Sequence, residues 1–111
     1  MSDNKTKIVF LGAGSISFGM SMLRDLVTTK GLSGSTLTLV TKHAETAART
    51  AELARFLNNK TGAGLIIEST TERRRALEGA DFVVNSTVVE RNRLWKLDFE
   101  VPKKYGIRHT L

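Results

Sequence analysis

The folding options of the chain narrow at Lys7-Ile8-Val9-Phe10-Leu11-Gly12-Ala13-Gly14-Ser15, an apolar run that enters a tight pair of glycines. Adjacent Ile8, Val9 and Phe10 suit a strand buried on both faces, as in a parallel sheet. Gly12 and Gly14 permit a sharp turn and the close approach of a bulky ligand, with no Cβ in the way. Phe18, Met22, Leu23, Leu26 and Val27 then share one helical face, with Lys30-Gly31 as the stop. A strand, a glycine turn and a helix in that order set backbone N–H groups at a helix N-terminus, where an anion is the natural guest. This is the front half of a dinucleotide-binding fingerprint.

The rest of the pattern supports it. Ser33-Gly34-Ser35 reads as a loop and Thr36-Leu37-Thr38-Leu39-Val40 as a second strand. Glu45 to Asn58 reads as a helix with Ala47, Ala48, Ala51, Ala54 and Leu57 on one face, small enough to approach a sheet closely. Gly62-Ala63-Gly64 is a turn and Leu65-Ile66-Ile67 a third strand. Thr71 is placed to cap a short helix through Leu77, and Gly79 ends it. Asp81 to Asn85 is a fourth strand. From about Asn92 to Tyr105 the pattern is helical, with Leu94, Leu97 and Val101 on one side and Pro102 breaking the segment or ending it in a turn. Such alternation predicts an α/β fold, a Rossmann-like, partial doubly wound parallel sheet that amounts to an N-terminal half with about four strands. Residues 1–111 form one domain or part of one, without repeats or linkers.

The candidate cofactor contacts follow from that topology. In the turn they are Gly12, Ala13, Gly14, Ser15 and Ile16. The third glycine of the fingerprint falls instead on Ser17. After the second strand, where NAD binders place a carboxylate for the ribose hydroxyls, the chain has Thr41-Lys42-His43. Lys42 can pair with the 2′-phosphate of NADP, or it can be a solvated lysine with Glu45 or nothing in the acidic role. Asn85, Ser86 and Thr87 follow the fourth strand, where a doubly wound sheet opens its crevice; they can touch the nicotinamide ribose or simply terminate the strand. A glycine turn alone is also compatible with a bare turn in a parallel sheet.

Composition excludes several other classes. Cysteine is absent, which removes disulfides and thiolate metal sites from this chain. No apolar run has the length of a membrane span, so no membrane partner is expected. The start is polar and leads straight into a strand, which makes the expected location cytoplasmic. The net charge is +6, but the positives are dispersed apart from Arg73-Arg74-Arg75 and Lys103-Lys104. With 6% aromatic residues there is no stacking platform for bases, and no nucleic-acid partner is expected.

With these residues in place, the chain resembles the N-terminal part of glycoside hydrolase family 4. The resemblance rests on the opening Lys7 to Ser15 stretch with Phe18, on Ala76-Leu77-Glu78-Gly79-Ala80-Asp81-Phe82-Val83-Val84-Asn85, and on Asp98-Phe99-Glu100-Val101-Pro102-Lys103-Lys104-Tyr105-Gly106-Ile107-Arg108-His109-Thr110. It implies hydrolysis of O-glycosidic bonds by a redox route that uses NAD and a divalent metal, usually manganese. In that route the C3 hydroxyl is oxidised, a tyrosine removes the C2 proton, the aglycone is eliminated, water adds and the hydride returns. It also implies a homo-oligomer and a glycoside substrate for the full-length protein.

Three departures limit what carries over. The acid after the second strand is missing. Val88 and Glu90-Arg91 stand where the family usually has a Gln and a Gly-Gly pair that shape the sugar site. The family's metal ligands and catalytic tyrosine lie beyond Leu111, and Tyr105 belongs to the Lys-Tyr-Gly piece. No catalytic residue and no metal site are therefore assigned in this chain. The expectation is a dinucleotide-binding part that is inactive alone; the alternative is a stand-alone nucleotide-binding module without catalysis.

Overall fold

A computed structural model describes residues 6–109, leaving out the side chains of Ile16 and Ser17. Four strands, β1 (Lys7–Leu11), β2 (Thr36–Val40), β3 (Ile66–Thr70) and β4 (Phe82–Asn85), form one sheet in the order β3-β2-β1-β4. All pairings are parallel: Ile8 faces Leu37 on one side and Phe82 on the other, and Leu37 faces Ile67. The α-helices are α1 (Ile16–Thr28), α2 (Ala44–Thr61), α3 (Arg73–Leu77) and α4 (Arg91–Lys103), and a 3-10 turn at Lys30–Leu32 follows α1. The chain builds outward from β1 to β3, then returns to the other side of β1. That reversal between β1 and β4 opens a crevice at the carboxyl ends of the strands.

The alternation of side chains along each strand sorts the core into two layers. On one face Ile8, Phe10, Leu37, Leu39 and Ile67 pack with Leu23, Leu26 and Val27 of α1 and with Ala51 and Ala54 of α2. Phe10 is fully buried there, and burial of a side chain of that size contributes roughly 2–3 kcal/mol. On the other face Val9 and Val40 meet Ala76 of α3, flanked by Leu11, Leu77 and Ala80. A five-residue α3 covers only part of this face.

Several local expectations change. β3 runs to Thr70 rather than stopping at Ile67, because all five residues of β2 find parallel partners in it. α2 extends from Ala44 to Thr61 and ends on Gly62 in the left-handed conformation (φ 65°). Ala47, Ala51 and Ala54 are buried as anticipated, whereas Ala48 faces solvent because it lies just off the buried stripe. Glu72, not Thr71, precedes α3, and no side chain caps that helix; Thr70 Oγ1 instead accepts the Glu72 N–H at 2.9 Å. Phe18 is 45% exposed yet still sets its ring edge-on to Phe10, with centroids 6.0 Å apart.

The last helix follows a different rule from the others. α4 includes Pro102 in its last turn and closes immediately after it, with the Tyr105 N–H donating to the Pro102 carbonyl at 2.9 Å. Leu94, Leu97 and Val101 have helical spacing but α4 buries no residue. The periodicity is real and, within the described residues, the face it builds is uncovered.

Candidate functional site: a crevice at the carboxyl edge of the sheet

Three loops leave the sheet at the same edge, after β1, β2 and β4, and the backbone ties them together. The Gly12 and Ala13 N–H groups both donate to the Val40 carbonyl, at 3.0 and 3.2 Å. The Ser86 N–H donates to the Leu11 carbonyl at 2.9 Å. The turn after β1 is thereby fastened to the end of β2 on one side and to the end of β4 on the other.

Each glycine in this region has a different steric job. Gly12 has φ +82°, where other residues are strained, and a Cβ there would sit 2.7 Å from the Ser86 carbonyl oxygen. A Cβ on Gly14 would lie 2.8 Å from Thr46 Cγ2 and 3.6 Å from Thr41 Cγ2. The missing Cβ atoms therefore let the β4 loop and the start of α2 close around the turn. Gly19, inside α1, was not singled out in the sequence. A Cβ there would stand 2.8 Å from the Ala13 carbonyl oxygen. Gly19 thus gives the close approach of helix to turn that a fingerprint glycine serves. A glycine inside a helical pattern, where it costs about 1 kcal/mol against alanine, is the signal that could have revealed it.

The donors near the turn divide into spent and available. Gly12 and Ala13 are spent on Val40, and the Ser15 N–H donates to the Gly12 carbonyl at 3.2 Å. The first turn of α1 begins at Ile16, and the N–H groups of a helix's opening turn have no partner inside the helix. Ser15 precedes α1 in an extended conformation and its hydroxyl makes no capping bond. At the far side, Asn85 Oδ1 accepts both the backbone N–H and the hydroxyl of Thr87, at 3.1 and 2.7 Å, which folds the β4 loop over on itself. Asn85, Ser86 and Thr87 hence border the turn, as the topology predicts.

After β2, Thr41 is buried and its hydroxyl donates to the His43 carbonyl at 3.0 Å. Lys42 and His43 are exposed. Glu45, the remaining acidic candidate there, forms an ion pair with Arg49 at 2.7 Å. The structure thus brings Gly12 to Ser15, Thr41 and Asn85 to Thr87 to one edge; the side chain of Ile16 lies outside the described residues.

Two other depressions of the surface lie elsewhere. One of about 470 Å³ is bordered by Lys7, Arg55, Glu68 and Arg75. Two of its cations are already engaged: Lys7 Nζ donates to the Glu78 carbonyl and Arg55 Nη2 to the Ile67 carbonyl. Another of about 720 Å³ lies between α4 and residues 106–109, bordered by Phe99 and Ile107. Neither touches the glycine turn. Among the described residues no three His, Asp or Glu side chains gather as a metal site would require, so no step through a metal is derived for this chain. No helix among them is long and apolar enough to cross a membrane.

Fold and crevice together define a class: a Rossmann-like α/β unit, a four-stranded parallel sheet with flanking helices and a glycine turn at its switch point. The chain belongs to the family 4 glycosyl hydrolases, whose family model matches residues 7–111. It is 40% identical over 106 residues to an alpha-glucosidase of Erwinia rhapontici, covering 95% of this chain and 23% of that protein. An alpha-galactosidase of Bacillus subtilis (strain 168) is 31% identical over 106 residues, again 95% of this chain and 24% of the relative. The fold is shared with a 6-phospho-alpha-glucosidase from gut microorganisms solved in complex with NAD and Mn2+, at a TM-score of 0.70 and 18% identity, covering 96% of this chain and 24% of that one. A second structure, a 6-phospho-alpha-glucosidase with NAD and glucose-6-phosphate, matches at a TM-score of 0.69. The chain spans about a quarter of the length of these relatives.

Proposed function

We propose that residues 1–111 are the dinucleotide-binding N-terminal part of a glycosidase that works by the oxidation and elimination route of family 4. The observation that carries this reading is the junction of Gly12 with Ser86. A left-handed glycine closed against the β4 loop sets the opening turn of α1 at the crevice, between the ends of β1, β2 and β4. That arrangement fits a pyrophosphate, which needs N–H donors and the positive end of a helix dipole more than it needs side chains. A bound nicotinamide dinucleotide supplies a hydride acceptor. The chain's own residues bind and orient. The first turn of α1 and the Ser15 hydroxyl face the pyrophosphate, the Thr41-Lys42 end of β2 receives the adenosine ribose, and Asn85 to Thr87 flank the nicotinamide ribose.

Catalysis is assigned to none of these residues. Metal and proton-transfer groups belong to the larger protein in this reading, and the chain alone is inactive as a glycosidase. Binding of a glycoside, a cytoplasmic location and assembly into a homo-oligomer are likewise proposals for that whole protein, supported by family membership. The exposed Phe82 and Val83 on edge strand β4 and the uncovered face of α4 also favour a larger unit. A self-standing nucleotide-binding module is the second reading, favoured by the closed core between the sheet and helices α1 and α2.

Calorimetric titration of the purified chain with NAD and NADP tests the binding role. Saturable binding of either that is lost in Gly12→Ala is expected; absence of binding to both by folded protein would sink the proposal. Assay with NAD, Mn2+ and chromogenic glycosides is expected to give no turnover, and turnover would refute the division of labour.

A further inference from the structure

We infer that the β2 end of the crevice selects a 2′-phosphorylated dinucleotide, with Lys42 as the residue that reads the phosphate. This rests on the dinucleotide reading above and names which dinucleotide the site takes.

A free ribose 2′-hydroxyl is held by an acceptor, normally a carboxylate at the end of the second strand. Here the residue that follows β2 is Thr41. Its side chain is buried against the turn, near the position a Gly14 Cβ would take, and its hydroxyl donates to His43. It is a short side chain locked into the strand-to-helix connection, and it brings no negative charge. Glu45 stands farther on, in the first turn of α2, where it pairs with Arg49 at 2.7 Å. No carboxylate stands among Thr41, Lys42 and His43, which join β2 to α2, to receive the 2′- and 3′-hydroxyls.

The charge that does stand there is positive. Lys42 is exposed, and among the described residues it takes part in no ion pair. An ammonium group suits a phosphate dianion better than a diol, because it can donate to the hydroxyl oxygens but cannot accept from their O–H groups as a carboxylate does. A carboxylate at this point would repel the 2′-phosphate, so its absence removes a barrier to NADP as well as a contact for NAD. The exchange of acid for Thr41-Lys42 changes both terms in the same direction.

The test is a pair of calorimetric titrations of the 111-residue chain at low salt, with NAD and with NADP, repeated on Lys42→Gln. Expected is binding of NADP at least about tenfold tighter than NAD, the scale of one charge-assisted contact. In Lys42→Gln the ratio should fall toward one, chiefly through weaker NADP binding. The preference should also shrink as salt is added. Equal or tighter binding of NAD overturns the selectivity and leaves the dinucleotide reading standing. An NADP preference unchanged in Lys42→Gln overturns the assignment to Lys42. Failure of the folded chain to bind either one overturns both readings. Lys42 is exposed, and circular dichroism of the variant confirms that any loss is not one of folding.

Discussion

A Cβ placed on Gly19 would stand 2.8 Å from the carbonyl oxygen of Ala13, closer than side chains tolerate against backbone. This contact lets α1 begin directly over the glycine turn. It makes a residue seven positions after Gly12 part of the crevice's architecture, although it lies one turn into the helix.

Gly19→Ala should therefore reverse the ordinary rule for helices. In an exposed helix interior alanine gains about 1 kcal/mol over glycine. At Gly19 the backbone must shift, and a net loss of about 1–2 kcal/mol is expected. Gly31, with nothing within 4 Å of its Cβ position, serves as control and should tolerate alanine. Urea denaturation of both variants decides it; a stabilised Gly19→Ala would contradict the packing described.

Gly12→Ala combines left-handed backbone strain with a clash against Ser86. A loss of roughly 2–3 kcal/mol is expected, together with loss of dinucleotide affinity. A variant as stable as the parent would mean that the β1 and β4 loops are not closed against one another.

Ser35 lies fully buried, and its hydroxyl has no partner among the described residues. Ser35→Ala removes an unpaired polar atom from the core. The expected outcome is a gain of about 1 kcal/mol, read as a higher denaturation midpoint. A loss of stability would show that the hydroxyl has a partner, such as an ordered water.

Asn58 joins the end of α2 to the start of β3 through both ends of its side-chain amide: Nδ2 donates to the Leu65 carbonyl at 2.8 Å, and Oδ1 accepts the Leu65 N–H at 2.9 Å. Asn58→Ala leaves two backbone groups without partners and should cost about 1–2 kcal/mol. Asn58→Asp keeps the acceptor but sets a carboxylate oxygen against the Leu65 carbonyl, so it should recover at most part of that. An alanine variant within experimental error of the parent would refute the clamp.

Native-state hydrogen exchange should divide the chain sharply. Strand amides of Val9, Phe10, Leu37 and Leu39 lie in the core and should show the slowest exchange. Amides of α4, which buries no residue, should exchange far faster, and Trp95 should be open to an aqueous quencher. Protection of α4 equal to that of β1 in dilute protein would contradict this.

Much of the fold was legible because its signals are local. An apolar run marked β1, alternating threonine and leucine marked β2, and helical periodicity marked α1 and α2. The glycine turn between β1 and α1 placed the candidate site. What escaped was what depends on a partner element. Thr70 belongs to β3 only because Val40 is beside it, and Ala48 lies off the buried stripe of α2 by one position. Leu94, Leu97 and Val101 read as a packing face from spacing alone, yet spacing says nothing about what is packed against it.

The same division holds for the site. The residues themselves determined the strand–glycine–helix order, the lack of an acid after β2 and the likeness to family 4, because these are properties of identity and spacing along the chain. Tertiary structure decided which groups remain available. It spent the Gly12 and Ala13 N–H groups on the Val40 carbonyl and the Ser86 N–H on the Leu11 carbonyl. It also made Gly19 part of the turn's packing, since only a folded chain brings the Ala13 carbonyl over that position. Sequence order cannot report such commitments, because each hydrogen bond or close contact excludes others only once distant segments share the same space.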